Sequence, residues 1–224
     1  MNALLVAGTD AGVGKTWVAR ALGRALSVAR RRVVAIKPVE TGCREGSGTP
    51  EDGVLLAEAT GQTEPRAALY RFAAPLAPAL ASEAEDRTID LDALVLRIEA
   101  LGDGAELVLI EGAGGLLSPI TWEWNAVDVA RTLGARALLV GPDREGVLNH
   151  ALLALGALEL AGLEVAGLVL TTPESPDAST GRNAAAIARI SGIERVAVLP
   201  RSNDPFDAGA ALAPILDWLA APSS

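Results

Sequence analysis

Five apolar residues, Ala3-Leu4-Leu5-Val6-Ala7, break into Gly8-Thr9-Asp10-Ala11-Gly12-Val13-Gly14-Lys15-Thr16, and a helical pattern follows at once. A wholly apolar run of this length reads as a strand buried on both faces, and residues 15–29 place Val18, Leu22, Ala25 and Leu26 on one helical face. A strand that turns through glycines directly into a helix points backbone N–H groups at the turn, where the positive end of the helix dipole adds to their pull on an anion. Gly12 and Gly14 let the backbone wrap a phosphate closely. Lys15 would reach the terminal phosphates, and the Thr16 hydroxyl would ligate Mg²⁺. The spacing departs slightly from the usual phosphate loop, because Thr9 rather than glycine lies five residues before Gly14.

The same alternation continues along the chain. Strands are expected at 33–36, 107–110, 137–140, 165–170 and 196–199, with helices at 51–60, 90–101, 147–161 and 207–220. Residues 41–50 read as a loop, the proline-bearing stretch 64–81 as an ordered irregular segment, and 173–183 as the most mobile loop. This is the signature of an α/β chain with a parallel sheet covered on both sides, a three-layer αβα fold of the P-loop NTPase kind. No linker or repeat divides it, so residues 1–224 are expected to form one domain.

Composition narrows the function classes. Half of the 224 residues are apolar but only 3% are aromatic, so the core must be built from Ala, Leu and Val. A formal charge of −9 argues against a nucleic-acid or anionic-membrane partner, both of which need a basic face. A single cysteine excludes an internal disulfide framework and fits a reducing, cytoplasmic setting. No apolar run reaches transmembrane length, and Met1-Asn2-Ala3 leads straight into the first strand without the basic region of a secretion signal.

Lysine usage marks two positions. Of the 19 basic residues only Lys15 and Lys37 are lysines. Each follows an apolar run, at the strand ends where open parallel sheets bind ligands. A compact ammonium on a flexible stem does what arginine's planar fork does not, and Lys37 is placed to stabilise charge that develops at a terminal phosphate. Glu111 ends another apolar strand ahead of Gly112-Ala113-Gly114-Gly115 and suits a metal-side carboxylate, with Asp52 as the second. Asp52 also reads as an ordinary acid at a helix start, which the dipole favours anyway. Gly146-Val147-Leu148-Asn149-His150-Ala151 opens a long apolar helix whose first N–H groups suit a carboxylate. His150, the one histidine, has no Ser or Asp partner pattern around it, and Cys43 reads as a small loop residue.

Taken in order, these segments resemble dethiobiotin synthetase, an enzyme of biotin synthesis. The resemblance rests on Gly8-Thr9-Asp10 with Val13-Gly14-Lys15-Thr16, Lys37-Pro38-Val39 with Thr41-Gly42, and Asp52. It continues through Phe72-Ala73-Ala74-Pro75 with Pro78, Glu111-Gly112-Ala113-Gly114-Gly115 and the Asn149-His150-Ala151 helix start. It implies a mostly parallel sheet of about seven strands, a homodimer, and an ATP- and Mg²⁺-dependent ligase acting on 7,8-diaminononanoate and CO2 or bicarbonate. In that family the diamine takes up CO2 as a carbamate, which attacks the terminal phosphate to give a carbamic–phosphoric anhydride. The second amine then closes the ring. The resemblance implies Lys37 and Lys15 as catalytic residues and Thr16, Asp52 and Glu111 as the metal set. Nucleotide contacts would come from Gly12, Val13, Gly14, Lys15, Thr16, Trp17, Asp52, Glu111, Thr171, Thr172, Pro200, Arg201 and Ser202. Substrate contacts would come from Thr41, Val147, Leu148 and Asn149, the helix start holding a distal carboxylate across the dimer interface.

The chain departs from the family at two places. Ala11-Gly12 stands where a threonine and an acid are usual, which removes a side-chain contact to substrate and one near the nucleotide. Thr171-Thr172 stands where an asparagine usually reads adenine, so a less selective site that accepts other nucleoside triphosphates is expected. Partition-type or cofactor-amidating ATPases share the fold, but the former carry an extra lysine early in the loop, where this chain has Asp10. A degenerate nucleotide-binding subunit is the remaining alternative.

Overall fold

Residues alternate between two cores along the first strand. Ala3, Leu5 and Ala7 pack to one side, Leu4 and Val6 to the other, and all are buried. That double burial requires helices on both faces of the sheet. The computed structural model describes residues 1–44, 46, 48, 50–200 and 202–220. Its strands are β1 (Ala3–Gly8), β2 (Val33–Ile36), β3 (Val39–Thr41), β4 (Tyr70–Phe72), β5 (Leu107–Glu111), β6 (Arg136–Pro142), β7 (Val165–Thr171) and β8 (Val196–Leu199). Its helices are α1 (Lys15–Val28), α2 (Asp52–Thr60), α3 (Pro78–Ala84), α4 (Leu91–Leu101), α5 (Ala126–Thr132), α6 (Val147–Leu160), α7 (Asn183–Ser191) and α8 (Ala213–Ala220), with a 3-10 stretch at Pro205–Leu212.

The main sheet has six parallel strands in the order β2-β5-β1-β6-β7-β8. One face is covered by α1, α2, the 3-10 stretch and α8, the other by α4, α5, α6 and α7. The expected three-layer αβα architecture is therefore present, with two further strands, β3 and β4, forming a separate parallel pair. Pro38 divides β2 from β3: it has no N–H to continue a ladder, and the chain leaves the main sheet there.

The edge strand β2 is closed by a side chain. The Ala35 N–H donates to Gln62 Oε1 (2.7 Å), and Gln62 Nε2 donates back to Ala35 O (2.9 Å) and to Pro65 O (2.7 Å). The one glutamine of the chain thus acts as a single amide's worth of missing strand. Gly61, at φ 71°, supplies the left-handed turn that ends α2 and delivers Gln62 to that edge.

Three local expectations are refined. The segment 64–81 holds β4 and the start of α3. The seven-residue helices α3 and α5 are too short for periodicity to reveal. The closing helix divides at Gly209, whose φ of 49° and ψ of −128° lie outside helical geometry, so only α8 is α-helical. The 173–183 loop carries carboxylate anchors. The Glu145 and Ser179 N–H groups donate to the Asp177 carboxylate, and the Gly181 N–H and Asn183 Nδ2 donate to Asp143.

Candidate active site

The strand order decides what meets at the carboxyl edge. β5 is inserted between β1 and β2, so Glu111 at its end stands between the phosphate loop after β1 and Lys37 after β2. Gly14 caps α1 in the left-handed region (φ 95°), which turns the loop back over the helix start. A Cβ on Gly8 would lie 2.6 Å from Asp10 O and 2.8 Å from Lys15 Nζ, so only glycine lets the loop close this tightly. Lys15 is buried and donates to Gly114 O (2.5 Å) and Asp10 O (3.0 Å), which ties the phosphate loop to the Gly112–Gly115 stretch. Burial, reinforced by the neighbouring Lys37 charge, lowers the Lys15 ammonium to about 8.

Lys37 is 4% exposed and its Nζ lies 2.5 Å from Glu111 Oε1 and 2.8 Å from Asp52 Oδ2. Burial pulls its pKa down, but the two carboxylates outweigh it and hold the ammonium above the usual lysine range. Asp52 is lowered, the Lys37 charge overcoming its desolvation, whereas burial pushes Glu111 up. The Thr16 hydroxyl donates to the same Glu111 Oε1 (2.8 Å). Glu111 is 1% exposed, and its other oxygen, Oε2, is buried with no hydrogen-bond partner. A carboxylate oxygen left so is costly. A hard divalent cation among Thr16, Asp52 and Glu111 would satisfy it with the all-oxygen donor set Mg²⁺ prefers.

On the other side of the phosphate loop opens a cavity of about 490 Å³. Gly12, Val13, Gly14, Trp17, Thr171, Thr172, Pro200 and Ser202 line it, together with Asn203. Thr171 Oγ1 donates to Val13 O (2.9 Å) and Trp17 Nε1 to Ser202 O (3.2 Å), so both expected base-side segments are fastened to the phosphate loop. Arg201 lies outside the described residues. The loop thus separates a nucleoside-sized cavity from a lysine–carboxylate cluster, and a nucleotide lying along it would direct its terminal phosphate toward Lys37.

The chain is similar to known proteins in sequence and in fold. A family model described as an AAA domain matches residues 2–205. The ATP-dependent dethiobiotin synthetase BioD of Anaeromyxobacter dehalogenans (strain 2CP-C) is 44% identical over 220 residues, 96% of this chain and 97% of its own. The chain belongs to the dethiobiotin synthetase family. Its relative from Aquifex aeolicus (strain VF5), also an ATP-dependent dethiobiotin synthetase BioD, is 38% identical over 201 residues and 90% of each chain. Among solved structures, the cell division ATPase MinD of Pyrococcus furiosus aligns with a TM-score of 0.63 over 98% of this chain and 99% of its own. At 21% identity that likeness shows the shared P-loop NTPase fold alone.

The remaining expected residues of this family member lie around the cluster without joining it. Thr41 ends β3 and is half-buried. At the start of α6, Val147 is buried in the core and its N–H already donates to Arg144 O (3.2 Å). An anion there would therefore meet the N–H groups of Leu148 and Asn149. His150 is exposed on α6. Burial pushes the Cys43 thiol up, as befits an unreactive loop residue. Sequence reasoning did not reach Glu40, a buried acid on β3, or Asp143, a 1% exposed carboxylate beyond β6 that anchors the 179–183 turn. For Glu40 the available signal is an acid that follows the apolar Val39 three residues after Lys37.

Proposed function

We propose that residues 1–224 act as one ligase domain that converts 7,8-diaminononanoate and CO2 to dethiobiotin at the expense of ATP. The observation that carries this reading is the buried Lys37, gripped by Asp52 and Glu111 beside the phosphate loop. A reaction between two anions, a carbamate and a terminal phosphate, is served by a second ammonium at this place, after the second strand and outside the phosphate loop. Family membership supports the same reaction.

The steps balance as follows. An amine of the substrate adds to CO2, loses a proton and becomes a carbamate. A carbamate oxygen attacks the terminal phosphorus, the bond to the bridging oxygen breaks, and ADP leaves. The second amine attacks the carbonyl carbon of the mixed anhydride, gives up a proton to the departing phosphate and closes the cyclic urea. Thr16, Asp52 and Glu111 would hold Mg²⁺, which when bound supplies charge neutralisation to the phosphate oxygens. Lys15 would leave Asp10 O and Gly114 O for the terminal phosphates. Lys37 would keep its proton throughout and neutralise carbamate and phosphate oxygens as they approach, a role its raised pKa suits. Gly112–Gly115 lets substrate come close to the backbone. Thr41 would contact the diamine or carbamate, and the α6 start of the partner in a homodimer would receive the distal carboxylate. With Thr171 committed to Val13, the base is read loosely, and other nucleoside triphosphates serve as well.

The test is phosphate release by the purified protein with Mg²⁺, bicarbonate and ATP, with and without the diamine. Release that requires the diamine, with dethiobiotin identified by mass, is the expected result. Release independent of the diamine points to a simple ATPase and defeats the reading.

A further inference from the structure

Asp52, at the start of α2, meets Lys37 from 15 residues further along the chain. Among the described residues of 42–50 none lies in a helix or strand, and Gly42, Gly46 and Gly48 all take left-handed backbone (φ 78°, 73° and 71°). The residue that precedes α2, Glu51, makes no side-chain cap; its carboxylate is paired with Arg71 at 2.5 and 2.7 Å. The first N–H groups of any helix lack partners within the helix. In α2 they are met from another element. The Glu40 side chain, on β3 and only 8% exposed, accepts the Asp52 N–H at Oε1 (2.5 Å) and the Gly53 N–H at Oε2 (3.0 Å).

Both oxygens of Glu40 are therefore used, each on a backbone N–H of the residue pair that carries the Asp52 carboxylate. Gly53 closes the helix start from the opposite side: a Cβ there would lie 2.3 Å from Ala68 N and 2.6 Å from Ala67 C, so the backbone is packed against backbone. β3 is in turn held by its pairing with β4, Val39 to Tyr70 and Thr41 to Phe72. Glu40 also follows Lys37 by three residues on the same continuous segment, so one short piece of chain supplies both the ammonium and the clamp for its carboxylate partner.

We propose that Glu40 is a positioning residue: it touches neither nucleotide nor substrate, and it fixes Asp52 against Lys37 and Glu111 by clamping the start of α2. The proposal rests on the reading of Asp52 as a metal carboxylate. Two variants separate geometry from charge. Glu40→Gln keeps the size and one acceptor but presents an NH2 to the second N–H. Glu40→Asp keeps the charge and withdraws it by one methylene.

The experiment measures binding of a non-hydrolysable ATP analogue to the full chain, as a function of Mg²⁺ and in EDTA. Loss of a hydrogen-bonding partner behind a metal ligand typically costs 10–100-fold in metal affinity, so both variants should raise the half-saturating Mg²⁺ concentration by about tenfold or more. Binding in EDTA, which reports the phosphate loop alone, should stay unchanged. Three results overturn the proposal: an unshifted Mg²⁺ dependence in both variants, a shift in Glu40→Gln but not in Glu40→Asp (charge acting at a distance), or a parallel loss in EDTA (general damage). Asp52→Asn in the same titration tests the underlying reading. If it leaves the Mg²⁺ dependence unchanged, Asp52 is no metal ligand and the fault lies there. If it shifts the dependence while the Glu40 variants do not, only the positioning role fails.

Discussion

Replacing Lys37 separates what its charge does for the fold from what its shape does for the reaction. In Lys37→Met the Glu111 carboxylate keeps Thr16 but loses its cation, in a site where Glu111 is 1% exposed. Breaking a buried pair by removing one partner costs about 3–5 kcal/mol. The Asp52 side chain is 35% exposed, and water compensates part of its loss, so the lower end, about 3 kcal/mol, applies. For a chain of this length that lowers Tm by roughly 6–12 °C. Lys37→Arg keeps the charge but forces a planar fork into a space where one nitrogen sits 2.5 and 2.8 Å from two carboxylates. Its cost is one of overpacking, about 1–3 kcal/mol. Activity should not follow stability. An ion that stabilises transition-state charge is typically worth about 10²–10³-fold in kcat, so both variants should lose about that much. Denaturant unfolding gives the first quantity and diamine-dependent phosphate release at saturating nucleotide the second. The reasoning is refuted if Lys37→Arg turns over within about threefold of the unaltered protein, since transition-state stabilisation would then not depend on the ammonium.

Nucleotide binding should weaken as pH rises through Lys15's range. Its ammonium is lowered to about 8 by burial and by Lys37, while bound phosphates favour the charged form, so binding takes up close to one proton at pH 9 and almost none at pH 7. Calorimetry in buffers of differing ionisation enthalpy reads that uptake; equal values at both pH settings contradict it. The same lowering means the unfolded chain binds more protons between pH 8 and 10.5, so Lys15's contribution to ligand-free stability rises with pH across that window. Asp143→Ala leaves the Gly181 N–H without its acceptor and Asn183 Nδ2 with Ser179 Oγ alone, at about 1–3 kcal/mol, and frees the loop beside the nucleoside cavity. Steady-state kinetics should show KM for nucleotide rising while KM for the diamine holds. Gly167→Ala puts a methyl 2.6 Å from the Trp218 ring and 3.0 Å from Arg195 O, in the half of β7 away from its carboxyl end. Stability should fall by about 1–3 kcal/mol, read by thermal unfolding, with both KM values unchanged.

What could be read without coordinates was whatever depends on near neighbours in the chain. The strand–glycine–helix succession of residues 3–28 is of this kind, since Gly12 and Gly14 (φ 69° and 95°) both take the left-handed backbone that turns one into the other. Apolar runs such as 107–110 and 137–140 declare buried parallel strands by composition alone. The scarcity of lysine pointed to Lys15 and Lys37 because a rare residue at a strand end carries information its common substitute does not. Short elements, α3, α5 and the β3–β4 pair, gave no such signal, for three to seven residues do not establish a period.

Glu111 was recognisable as an acid at a strand end, but its place between the two lysines follows from the insertion of β5 between β1 and β2, a pairing of segments some seventy to a hundred residues apart. Glu40's clamp on α2 and Asp143's on the 179–183 turn are likewise invisible in sequence: Glu40 acts on backbone N–H groups, which every residue but proline offers alike, and Asp143 joins one such group to a side chain 40 residues away. The sequence by itself determined the kind of sheet, the phosphate loop and the two ammonium groups, since those depend on local backbone preference and side-chain type. Tertiary structure alone decided that Lys37 meets the Asp52 and Glu111 carboxylates while Lys15 meets the carbonyls of Asp10 and Gly114. Strand order is set by the joint burial of both sheet faces, and that is a property of the whole chain.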